Sequence, residues 1–174
     1  MNKSNINFEK LKDIDVHLAY SIICKRIDFL SKINITQYVE PYPQENIYIE
    51  RQKKGLNYGL YVSSKLAVII TLIPNYIPNE WNEYKSDKQT VWISTLFSNE
   101  EFSGNNLGNQ MMEEAEIYLE SQGYTRLLLD CFINKDEFLV KYYTKLGYKE
   151  LLRKKVVYPI HTFNAALMEK NLVD

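Results

Sequence analysis

The sequence is poor in the residues that build most metal and covalent sites. Of 174 residues, only Cys24 and Cys131 are cysteine, and only His17 and His161 are histidine. Two cysteines so far apart make neither a CxxC pair nor a disulfide framework, and both are expected as reduced thiols. Two histidines argue against a multi-histidine metal centre, so no metal is expected and proton chemistry falls to carboxylates, tyrosines or water. An excess of one charge is also missing. Lys+Arg number 21 against 22 Asp+Glu, which leaves no field to hold a phosphate polymer or an anionic membrane, and neither is an expected partner. The longest apolar stretch, Leu66 to Ile73 with Thr71 inside it, falls far short of the roughly 20 residues that span a bilayer. Met1 to Glu9 lacks the apolar core of a secretory signal, so a cytoplasmic location is the default.

What is present reads as one domain, 1–174. The chain is 45% hydrophobic and 25% charged without repeats or low-complexity tracts, the mixture of a single globular unit. From Asp13 to Asn34 apolar residues recur at helical spacing, with Asp13 as the cap. Pro41 and Pro43 make Thr36 to Gln44 a crossover before a second helix, Glu45 to Lys54. Gly55 to Gly59 breaks that helix, and Leu60 to Val62 and Leu66 to Ile73 form a hairpin across Ser63, Ser64 and Lys65. Pro74 to Gln89 is a loop holding at most one short helix. Strand Val91 to Phe97 precedes helix Leu107 to Gln122, which Gly123 stops. Thr125 to Phe132, nearly all apolar, is the central strand. Helix Asp136 to Leu146 then ends at Gly147, and strands Tyr148 to Val157 and Phe163 to Lys170 close the chain. A crossover helix implies a parallel pair and the hairpins imply antiparallel ones, giving a mixed α/β sheet with helices on both faces.

The informative segment is Leu96 to Gly108. A strand runs into a loop of Gly and Asn, residues that tolerate positive φ, and the loop opens a helix whose first N–H groups lack internal partners. Those donors and the helix dipole can cradle a phosphate with hardly any basic side chains, which suits a neutral protein. A turn that only caps a helix is the plainer alternative. A Gly-x-Gly-x-x-Gly nucleotide fingerprint is absent.

This segment resembles the acyl-CoA loop of the GNAT superfamily of N-acetyltransferases, patterned Arg/Gln-x-x-Gly-x-Gly/Ala. Gly108 matches, while Ser103 stands for the Arg or Gln and Asn106 for the first Gly. Leu127 to Phe132 followed by Tyr142-Tyr143-Thr144-Lys145-Leu146-Gly147-Tyr148 is similar to the family's fifth strand and fourth helix. Ala165 to Lys170 looks like its closing strand, and Tyr42-Pro43-Gln44-Glu45 like an early segment of some members. The resemblance implies a mostly antiparallel sheet whose fourth and fifth strands pair in parallel and then splay. It implies acetyl-CoA as co-substrate, attacked directly by a primary amine. Phe97 and Ser98 would then follow the pantetheine arm, and Ser103, Gly104, Asn105, Asn106, Leu107, Gly108 and Asn109 would surround the pyrophosphate. Asn134, or Asp136 in its place, would contact CoA. Tyr143 falls on the tyrosine that protonates the leaving sulfur. Asp130 stands where several members carry an acid, a structural carboxylate being the other reading; Glu100, Glu101 or a water chain are further bases.

Cys131, with no histidine motif beside it, is expected to be inert. Tyr76, Trp81, Tyr84 and Trp92 interleave with Glu80, Glu83 and Asp87 near the expected acceptor cleft, where aromatic faces and carboxylates attract ammonium groups. A small amine, an amino compound or an aminoglycoside-like molecule, is the expected partner, and a homodimer is left open. The rival is a CoA-binding sensor of the same fold without catalysis, motivated by Ser103 and Asn106.

Overall fold

The computed structural model describes residues 5–36, 38, 44–84, 87–157 and 162–173. The crossover through Pro41, the Tyr42-Pro43 pair and His161 lie outside them. Seven strands form one sheet: β1 (Ile6–Lys10), β2 (Asn57–Val62), β3 (Lys65–Pro74), β4 (Thr90–Ser98), β5 (Arg126–Phe132), β6 (Lys149–Val157) and β7 (Thr162–Asn171). Their order is β1-β2-β3-β4-β5-β7-β6, with β4 and β5 parallel and every other pair antiparallel. The helices are α1 (Val16–Lys32), α2 (Glu45–Lys53), α3 (Leu107–Ser121) and α4 (Phe138–Lys145). Among the described residues no helix is long and apolar enough to cross a membrane.

Alternation along the strands sorts side chains to two faces. Val91, Ile93, Leu127, Leu129 and Cys131 meet Met111, Met112 and Ala115 of α3 and Val140 and Tyr143 of α4. On the opposite face, Leu66, Ile69 and Phe97 meet Ile22, Ile23 and Ile27 of α1 and Tyr48 of α2. Farther along that face, Trp92 and Leu128 pack with the buried Trp81. The mixed sheet with helices on both faces is the architecture read from the sequence.

Three local expectations change. Asp13 does not cap α1: a short 3-10 turn, Asp13–Asp15, precedes the helix, which has no side-chain cap. The Asp13 carboxylate instead accepts a hydrogen bond from Gln52 Nε2 at 2.8 Å. Gly59 is not a breaker but lies inside β2, because a Cβ there would fall 2.7 Å from the Tyr61 ring and 2.8 Å from Leu66. β1 is an added strand; Ile6 and Phe8 alternate with Asn7 and Glu9, too short a signal to stand out until β2 supplies a partner. The loop after β3 contains one short 3-10 turn, Asn79–Trp81.

Candidate active site

The site begins where two parallel strands stop pairing. β4 and β5 are in register only over Thr90–Trp92 and Arg126–Leu128. Beyond, they diverge, and the ladder between β3 and β4 also slips by one residue. The slip centres on Thr95, whose φ of 57° is costly for a β-branched residue and marks a bulge. Ser94 Oγ lies 3.1 Å from Thr95 Oγ1. The sheet is thereby opened as a wedge, and peptide groups on the two diverging edges are released from pairing with each other.

A cavity of about 490 Å³ fills the wedge, lined by Leu96, Phe97, Leu129, Asp130, Cys131 and Tyr143 among others. Asn134 and Asp136 also line it. Asn134 Oδ1 accepts the Phe138 N–H at 3.0 Å, which seats the start of α4. Toward α3 the groove continues past Leu96, Leu139 and Tyr143 to Ser98 and Ser103 through Asn109. There Asn106 takes the left-handed conformation, φ 57°, and α3 starts without a side-chain cap, leaving its first N–H groups open. A Cβ on Gly108 would lie 3.2 Å from Tyr142 Oη and 3.9 Å from Ser98 Oγ, so a side chain there would crowd Tyr142 where both residues line the groove. The ten residues expected to contact CoA thus line one continuous groove.

Tyr143 and Asp130 flank the wedge. Tyr143, on α4, is buried edge-on between Tyr142 and Tyr148, with ring centroids at 5.0 Å and 5.8 Å. Burial pushes its hydroxyl well above the ordinary phenol value, with Cys131, Tyr142 and Asp130 adding in the same direction, so it stays protonated at neutral pH. Asp130 points to the other face, where Trp81 Nε1 donates to Oδ2 at 2.9 Å. Burial raises its carboxyl to about 6, opposed by the Trp81 hydrogen bond and aided by Glu80. Cys131 is also raised, to about 12, chiefly by burial and then by Asp130, which keeps the thiol protonated and unreactive.

Asp130 also lines a second cavity of about 340 Å³ on the α2 side, with Tyr48, Arg51, Tyr76, Glu80, Ser94 and Thr95. Of the aromatic loop, Tyr76, Glu80 and Trp92 reach this pocket. Trp81 lies behind it, holding Asp130, with Lys154 Nζ 4.3 Å from its ring centroid. Glu83 pairs with Lys154 at 2.5 Å, Tyr84 packs behind Trp81, and Asp87 accepts the Gln89 N–H and the Thr90 hydroxyl. Glu100 and Glu101 border a separate hollow beside α1 and line neither cavity. Tyr48, Arg51, Ser94 and Thr95 escaped sequence reasoning. A helix to which the sequence assigned no role supplies the first two, and a bulge that no residue type announces turns the others.

A mixed sheet split by a bulge, with an uncapped helix N-terminus and a glycine at one end of the split, can seat a diphosphate at the helix start and a long apolar arm along the split. Residues 27–148 match the model of the acetyltransferase (GNAT) family, and the chain belongs to it. It is 26% identical to the uncharacterized N-acetyltransferase YesJ of Bacillus subtilis over 101 residues, 56% of this chain and 54% of that protein. The match thus spans about half the length of that curated relative. Among solved structures, a GNAT-family acetyltransferase from Listeria monocytogenes superposes with a TM-score of 0.75 at 16% identity, covering 98% of this chain and 96% of that one. The PaiA N-acetyltransferase of Thermoplasma acidophilum, solved in complex with coenzyme A, gives 0.69 at 16% identity over 96% and 99%. At these identities the likeness is one of fold.

Proposed function

We propose that the protein transfers an acetyl group from acetyl-CoA to a primary amine by direct attack, with Tyr143 as acid and Asp130 as base. The carrying observation is that the wedge joins two cavities and sets these residues on its opposite faces. The groove suits CoA: open N–H groups at the start of α3, the clearance at Gly108, and an apolar channel past Leu96, Phe97 and Leu139. Ser103 through Asn109 would hold the diphosphate through backbone N–H groups. Phe97, Ser98 and Asn134 would border the pantetheine arm. The co-substrate supplies an acetyl thioester at the wedge.

The remaining chemistry belongs to the chain. Asp130, with its carboxyl near 6, is ionised at neutral pH yet basic enough to take a proton from an ammonium group, directly or through one water. Tyr143, held protonated, donates to the departing sulfur. Backbone N–H groups freed by the β4 bulge stabilise charge on the acyl oxygen. A cytoplasmic, single-domain enzyme is part of the same reading.

Thiol release from acetyl-CoA across a panel of amines tests it, together with thermal unfolding. CoA should raise the melting temperature and ATP or NAD much less. Stabilisation by CoA without thiol release for any amine would convert the enzyme into a sensor; stabilisation by NAD alone would remove the CoA groove.

A further inference from the structure

The pocket on the α2 side carries a charge pattern that a plain amine does not explain. Arg51 of α2 is half-buried in its wall. Its hydrogen bond, from Nη1 to Thr95 Oγ1, is long at 3.5 Å, and no carboxylate pairs with it among the described residues. A half-buried guanidinium with no carboxylate at ion-pair distance among the described residues keeps its planar fork available to a carboxylate from outside the chain. Tyr48 gives a second, independent observation. It is 2% exposed, lines the same pocket, and its buried hydroxyl has no hydrogen-bond partner among the described residues. Three residues apart on α2, Tyr48 and Arg51 share one helix face. The same pocket is also lined by the carboxylates Glu80 and Asp130. Tyr76 senses all three charges: burial raises its hydroxyl, Arg51 opposes that, and Glu80 and Asp130 add to it.

We infer that the acceptor is a zwitterion, an α-amino acid or a compact analogue, with its carboxylate on Arg51 and Tyr48 and its ammonium toward Glu80 and Asp130. This rests on the transferase reading above and names the acceptor class for it. A polycation would place an ammonium group against Arg51, so the aminoglycoside-like expectation is set aside. The cavity of about 340 Å³ suits a single small molecule. In the transfer, the ammonium proton passes to Asp130 and the nitrogen forms a bond to the acetyl carbon. The carbon–sulfur bond breaks as the sulfur takes a proton from Tyr143, the second proton lost by nitrogen returns through water to the Tyr143 oxygen, and Asp130 releases the first to solvent. The products are an N-acetyl amino acid and free CoA thiol, with nothing oxidised or reduced.

Two measurements on the full chain test this. Thiol release is followed with the proteinogenic L-amino acids, their carboxamides and spermidine, and equilibrium binding of the same compounds to CoA-saturated protein is measured in parallel. At least one amino acid should show kcat/KM about 100-fold above its carboxamide, the scale of a buried charged pair. Arg51→Gln should erase that preference through KM, and Arg51→Lys should restore part of it. A carboxamide or spermidine used as well as the best amino acid would overturn the inference, as would unchanged discrimination in Arg51→Gln. Amino-acid binding that Arg51→Gln abolishes, without turnover of any amine, would sink the transferase reading and keep the ligand. No amino-acid binding at all would sink the ligand, whatever amine is acetylated.

Discussion

The two ends of the site are made of different materials. At the α3 end the wall is mostly backbone: a left-handed Asn106, an uncapped helix start and a glycine where a side chain would crowd Tyr142. At the α2 end the wall is side chain, and charged: Arg51, Glu80 and Asp130 converge from α2, the 3-10 turn and β5. Backbone donors read any diphosphate in much the same way, whereas converging side chains select one acceptor.

The largest effect is expected where the two ends meet. Asp130→Asn should lower kcat/KM by about 100- to 10000-fold and abolish the rise of rate with pH through about 6 that is expected of the parent. The same change should not weaken the fold. Because burial holds the folded carboxyl above its unfolded value, the folded state keeps a proton that the unfolded chain has lost, and stability falls as pH rises through about 6. At pH 8 the Asn variant should be more stable by about 1 to 3 kcal/mol, readable by denaturant titration. Loss of both activity and stability would make Asp130 structural.

Tyr143→Phe comes next, with single-turnover rates down about 10- to 1000-fold and CoA affinity nearly unchanged. Equal rates would leave water as the proton donor. Gly108→Val should weaken CoA binding by about 10- to 100-fold, since the added carbon meets Tyr142 Oη at 3.2 Å, while an acceptor-side ligand should still bind. Unchanged CoA affinity would dissolve the contrast between the two ends. Trp81→Phe should give the smallest effect. Removing the indole N–H that holds the Asp130 charge at 2.9 Å should move the pH–rate limb up by about half a unit to one unit.

The same contrast explains what was legible in the sequence. The α3 end is contiguous, so Ser103 through Asn109, which line its groove, stand in one run of the sequence, and Gly147 sets the register that proposes Tyr143. Asp130 was visible as an acid on an apolar strand, although its partner Trp81 lies 49 residues away. Arg51 carried no signal, because a polar residue on a helix with Glu45, Glu50 and Lys53 reads as a solvated face. Thr95 was hidden for another reason: a bulge is fixed by the register of two strands and not by the residue it distorts. The Asp13 cap failed because the chain enters α1 through a 3-10 turn that places Asp13 ahead of the N-cap position, which Asp15 occupies in a helical conformation without a side-chain capping bond.

A crystal structure with bound acetyl-CoA tests the central claim most directly, that the wedge between β4 and β5 is where acyl transfer occurs. The thioester sulfur should lie within about 3.5 Å of Tyr143 Oη, with the diphosphate on the N–H groups of Ser103 through Asn109 and the acetyl group facing Asp130. A diphosphate bound away from α3, or a thioester that leaves the wedge empty, would contradict it.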